Sequence, residues 1–198
     1  MEQRPEIIQF VPYAKENEGL GAAYHNCMLR LHQHEWGLLC DYDMMFLPSD
    51  YMRQLEEVIM ANPEYDCFTV MTNRISKLRP QAMQLAKVLP FDNHNIPEHY
   101  TEALKIQRDK RLNVLGITNK CEEGIPATMG GVAILIKRTA WDIINSTTEP
   151  APLWTFKKHL TIDGKIHKRL KTHGLKLGLM QGVYVYHRYR HDGIVHVK

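Results

Sequence analysis

The chain has 198 residues, with 25 Lys and Arg against 22 Asp and Glu, a formal charge of +3 when its 11 histidines are neutral. That length suits one domain, 1–198, with a sizeable core, and the small net charge excludes a chain whose whole surface recruits a polyion. Cys27, Cys40, Cys67 and Cys121 are scattered, with no C-x-x-C pair, which excludes a disulfide scaffold and fits packing thiols in a reducing compartment.

The opening "MEQRPEIIQF" is charged from its second residue, and no later run approaches membrane-spanning length; a cytoplasmic protein without a membrane partner is expected. "IIQFVPY", Ile7 to Tyr13, reads as a buried first strand closed by Pro12. From Leu20 the spacing of Leu20, Ala23, Cys27 and Leu31 predicts a helix, which returns to "WGLLC", a second buried strand. Ser49 or Asp50 caps a helix with Met52, Leu55, Ile59 and Met60 on its core face, stopped by Asn62 and Pro63.

"CFTVM" predicts a third strand. From about 73 to 128 the periodicity weakens into a less regular insertion, with "RPQAMQLAKVLP" and "PEHYTEALKIQRDKRL" as short helices. Then follow a strand in "GGVAILIKR", a short helix in "TAWDII", an amphipathic helix in "DGKIHKRLKTHG" stopped by Gly174, and closing strands in "KLGLM" and "VYVYH". The alternation predicts an α/β sandwich with a mainly parallel central sheet.

"WGLLCDYDMMFLP" sets Asp41 and Asp43 between apolar runs, at the carboxyl end of a strand where open parallel sheets collect ligands. Residues at i and i+2 of an extended chain point the same way, so the pair suits one hard cation, magnesium or manganese. The competing reading is a solvated acidic loop. In "VYVYH", His187 shares a face with Val183 and Val185, as a third ligand or a satisfied core histidine. Arg188 and Arg190 offer guanidinium forks for phosphate, or only a solvated strand end. Asp163 opens the basic helix, as a cap or as a general base, with His167 one turn on. Asn17, Gly19 and Gly21 lack the spacing of a phosphate loop.

Taken in order, these motifs resemble the GT-A glycosyltransferases, in particular small family 2-like enzymes of the bacteriophage type. "IIQFVPY" is similar to the family's first strand, which implies a nucleotide beside Pro12 and Tyr13. "GLGAAYHN" resembles its helix with glycine, small residues and asparagine, here Gly21, Ala23 and Asn26; "LLCDYD" resembles its metal-binding strand. "TMGGVAILIKR" looks like the strand whose glycines, here Gly130 and Gly131, approach donor and acceptor. The resemblance further implies Asp163 as base, His187 as metal ligand and a GT-A-like three-layer sandwich. Two departures stand out. The chain passes almost directly from Tyr13 to Gly21, without the usual intervening strand and its base-reading acid, and no Q-x-x-R-W stretch follows Asp163.

The resulting expectation is a Mn2+- or Mg2+-dependent glycosyltransferase that takes a nucleotide-sugar donor. A hydroxymethylated base in DNA is one acceptor, drawn in by Lys165, Lys168, Arg169, Lys171 and Lys176, with Trp154, Phe156 and Tyr189 for stacking. A phage-encoded enzyme would act in the host cytoplasm. The rivals are nucleotidyl transfer at a similar D-x-D site and a noncatalytic nucleic-acid or carbohydrate-binding module.

Overall fold

The computed structural model describes residues 4–15, 18–73, 81–82, 88–89, 93–117, 129–146, 152–155 and 162–188. In chain order these form β1 (Ile7–Phe10), α1 (Leu20–Met28), β2 (Trp36–Cys40), β3 (Met44–Leu47), α2 (Tyr51–Ala61) and β4 (Cys67–Thr72). They continue with α3 (Ile96–Lys110), β5 (Val114–Gly116), β6 (Ala133–Lys137), α4 (Arg138–Asn145), a 3-10 turn (Leu153–Thr155), α5 (Ile162–Thr172) and β7 (Leu177–His187). Most of the expected helix in "RPQAMQLAKVLP" lies outside the described residues, as do Cys121, Phe156, Tyr189 and Arg190.

Among the described residues the strands form one sheet in the order β1-β2-β6-β4-β7-β3, with β5 beside β7. Only β1–β2 and β4–β7 pair in parallel; β2–β6, β4–β6, β3–β7 and β5–β7 are antiparallel. The sheet is therefore mixed, not mainly parallel as expected. Yet β1, β2, β4 and β7 all run one way, so their carboxyl ends share an edge, and that is the edge reached by Asp41 and His187.

The sheet is also curled, and the chain itself requires it. Only Asp41–Asp43 separate β2 from β3, a link that reaches about 14 Å at most. In a flat sheet the four strand spacings between them would take about 19 Å. The bend is absorbed in β7, one continuous strand where "KLGLM" and "VYVYH" were expected as two. Its register on β4 jumps from Val70–Met180 to Met71–Tyr184, a bulge that turns its second half toward β3.

Two apolar clusters cover the two faces. Leu39, Met71 and Ile134 pack with Met28, Ala103, Trp141 and Ile166 of the helices α1, α3, α4 and α5, while Leu38, Phe68 and Val70 pack with Leu55, Val58 and Ile59 of α2. Each such fully buried side chain stabilises the fold by about 1.5–3 kcal/mol before chain entropy is counted. The buried face of α2 includes Gln54 and Val58, and Met60 is exposed, so the helix is rotated from its expected face. Gln54 is drawn inward because its Nε2 donates to the Gly182 carbonyl at 2.7 Å. Asp50 makes no side-chain cap bond; it accepts instead from Arg53 and from Gln107 of α3.

Within the stretch expected to be irregular, α3 packs on β7 and β5 pairs with it. His99 of α3 is fully buried, with Nδ1 2.8 Å from the Tyr184 hydroxyl and Nε2 2.8 Å from the Asn93 carbonyl. Since a carbonyl only accepts, His99 Nε2 donates to Asn93. No helix among the described residues is long and apolar enough to cross a membrane.

Candidate metal centre

Asp41, Asp43 and His187 offer ligand atoms that all lie within 4.8 Å of one another. Their convergence arises differently from the expectation of an extended chain. "DYD" is a turn, with Tyr42 at its apex 88% exposed, and the two carboxylates flank the point where the chain leaves β2 and enters β3. Asp41 extends the β2–β6 ladder, its N–H donating to the Val132 carbonyl at 2.9 Å. Asp43 is anchored from the other side, since its carbonyl accepts from Arg188 N–H at 2.9 Å.

His187 pairs with Met44 at the end of β7 and is buried. Asn73, just past β4, grips its backbone twice: His187 N–H donates to Asn73 Oδ1 at 2.7 Å, and Asn73 Nδ2 donates to the His187 carbonyl at 3.2 Å. The imidazole Nε2 lies 3.1 Å from Asp43 Oδ1 and 3.8 Å from Asp41 Oδ2. Burial opposes ionisation of Asp43, but its hydrogen bond and charge attraction with His187 and the Arg188 guanidinium outweigh that and hold it below the usual range. Burial pushes Asp41 up to about 7; His187 opposes the rise, and Asp43 and Asp163 add to it.

Asp163 is the second residue of α5, inside the first turn, and its Oδ1 accepts from the Gly164 N–H at 2.9 Å. It lies against Gly131, and its charge is felt both by Asp41 and by the buried hydroxyl of Tyr24. Gly130 is held by Gln81, which accepts from its N–H at 2.6 Å and donates to its carbonyl at 3.3 Å and to Thr69 Oγ1 at 2.6 Å. His167 supports the same segment, Nδ1 accepting from Met129 N–H at 3.4 Å.

The remaining expected residues are dispersed. Pro12 and Tyr13 leave β1 beside the turn after β2, with Tyr13 81% exposed. Arg188 is exposed at the rim. Gly21 is buried under the 3-10 turn, where an added Cβ would run into the Leu153 carbonyl, so close packing alone accounts for it. Asn26 is exposed and donates to Glu18 Oε1 at 3.2 Å. Arg169 does not belong to the expected basic face: it is buried, and its Nη1 donates to the Ile144 carbonyl at 2.8 Å, closing the end of α4. Lys168, Lys171 and Lys176 are exposed.

Tyr24, Asn73 and Gln81 were not singled out by their sequence context. Asn73 left one signal, a polar residue at the end of the buried run "CFTVMT"; Gln81 left none, because its partner Gly130 is distant in the chain. A second grouping, Glu6, His34 and Glu35, lies at the opposite end of β1 and β2. It adjoins a cavity of about 440 Å³ lined by Arg4, Trp36, Ile59 and Lys137. There Glu35 already accepts from the His32 N–H at 2.6 Å, while Glu6 and His34 are exposed. A scan of protein-family models gives no match to this chain, and a search of curated proteins gives none either.

Proposed function

We propose that the chain is a metal-dependent glycosyltransferase of GT-A-like build, moving a sugar from a nucleotide-sugar donor to an acceptor hydroxyl. The observation that carries this reading is the convergence of Asp41, Asp43 and His187 at the carboxyl edge of the sheet, with Asp163 near enough for its charge to act on Asp41. The donor set fits manganese or magnesium. Two carboxylates and an imidazole nitrogen whose ligand atoms lie within 4.8 Å of one another would hold a divalent ion, and the imidazole nitrogen favours manganese. A cation held by Asp41, Asp43 and His187 would neutralise a diphosphate and stabilise the charge that builds on a departing nucleotide.

The chain's own groups do the rest. Asn73 and the β3–β7 pairing keep His187 and Asp43 from wandering, so little reorganisation is needed when ligand binds. Arg188, at the rim beside Asp43, reaches toward phosphate oxygens. Asp163, fixed in the first turn of α5, takes the proton of the attacking hydroxyl. Hydroxymethylated DNA as acceptor draws on Lys165, Lys168, Lys171 and Lys176, without Arg169.

The test is product analysis with manganese and a panel of nucleotide sugars and acceptors. The reading requires release of a nucleoside diphosphate that stops on chelation and in Asp163→Asn. Pyrophosphate release would place the chain among nucleotidyltransferases, and chelator-insensitive binding without turnover would make it a binding module.

A further inference from the structure

Gly131 is a glycine without a steric reason. A β-carbon built on it would meet Asp163 Cβ at 3.5 Å, Asp163 Cγ at 3.9 Å and the Tyr24 hydroxyl at 3.9 Å, all ordinary contacts. Its backbone is not left-handed either; among the described glycines only Gly174 has a positive φ. Gly21, Gly37 and Gly182 differ, because an added Cβ there would collide with a neighbour. What glycine leaves at position 131 is a gap the size of a methyl group between an acid and a phenol.

Tyr24 closes that space from α1. Its ring is 2% exposed, and its hydroxyl makes no hydrogen bond with any described residue. An unbonded phenol at the end of a buried ring is costly unless something occupies it. Burial first, then the charges of Asp41 and Asp163, hold this phenol protonated, so it serves as a donor.

We propose that Tyr24, Asp163 and the bare α-carbon of Gly131 form a notch that binds an alcohol hydroxyl of the substrate, Tyr24 donating to its oxygen and Asp163 accepting its proton. A donor beside a carboxylate complements an alcohol, which both accepts and donates. It does not complement phosphate, which two nearby carboxylates repel. On the glycosyl-transfer reading, on which its catalytic use rests, the alcohol is the acceptor and the notch presents it to the base. Tyr24 is then a substrate-binding residue, held on a rigid helix.

The experiment uses the full chain labelled with 13C at the tyrosine Cζ, whose shift reports hydrogen bonding at the hydroxyl; the Tyr24 resonance is the one missing from Tyr24→Phe. Glycerol, methyl glucoside and a hydroxymethylated nucleoside are titrated singly, with inorganic phosphate as comparison. At least one alcohol should move the Tyr24 signal saturably while phosphate does not. Gly131→Ala, whose methyl meets only ordinary contacts and leaves the fold intact, should abolish the shift. Tyr24→Phe should weaken the same alcohol about tenfold by ligand-observed NMR, roughly the worth of one hydrogen bond. A signal unmoved by every alcohol, a response to phosphate, or a Gly131→Ala titration like wild type overturns the notch. Manganese titration of the same sample separates the two ideas, since its failure removes the glycosyltransferase reading while an alcohol response would still stand.

Discussion

Manganese affinity should fall about tenfold on going from pH 8 to pH 6 through Asp41 alone. Burial is the main reason that Asp41 stands at about 7 instead of the ordinary 3.8, with His187 opposing and Asp43 and Asp163 reinforcing. A carboxylate ligates only when ionised, so metal competes with the proton. With a midpoint near 7 the ionised fraction is about nine-tenths at pH 8 and about one-tenth at pH 6, whereas a carboxylate at its ordinary value is fully ionised at both. Free manganese can be followed by its paramagnetic resonance signal while protein is titrated in at several pH values. In Asp41→Asn the affinity is lower at every pH, and the part of the slope due to Asp41 disappears. Equal slopes for wild type and Asp41→Asn would refute the placement of Asp41 in a desolvated site next to the cation.

The same shift makes metal-free stability depend on pH. Because the folded value of Asp41 is raised, its contribution is fully present below about pH 4 and is lost as pH rises through about 7; Asp41→Asn should therefore gain on wild type in thermal melts across that window. Asn73→Ala should cost about 1–3 kcal/mol in denaturant unfolding, since it strands the buried N–H and carbonyl of His187, and it should weaken manganese binding although Asn73 offers no ligand. Gly21→Ala should cost about 1–3 kcal/mol by driving a methyl into the Leu153 carbonyl; a variant of unchanged stability that has lost donor binding would instead favour the nucleotide-side role implied by the family resemblance.

The elements with a strong period were legible in the sequence. β2 and β4 are unbroken apolar runs, buried throughout, and α1 and α5 carry the expected helical spacing. Legibility ended where long-range pairing decides. Met44–Leu47 looked like the tail of an apolar run, and only the partner strand β7 makes it β3. The antiparallel insertion of β6 between β2 and β4 leaves no local trace, because a strand buried on both faces reads alike in either direction. The convergence of Asp41 and Asp43 with His187 was readable because acids at a strand end are conspicuous. Tyr24 and Gln81 were not, because what distinguishes them is an unbonded hydroxyl and a pair of hydrogen bonds to a residue far along the chain. Arg169 was misread for a similar reason: its partner is a helix-end carbonyl that no pattern of charges announces.

The most direct test of the account is a crystal of the protein soaked with manganese and measured at a wavelength where the ion scatters anomalously. One strong anomalous peak bonded to Asp41, Asp43 and His187 Nε2 is expected, absent in Asp43→Ala. A soaked crystal with no peak there, and with His187 still hydrogen-bonded to Asp43, would contradict it.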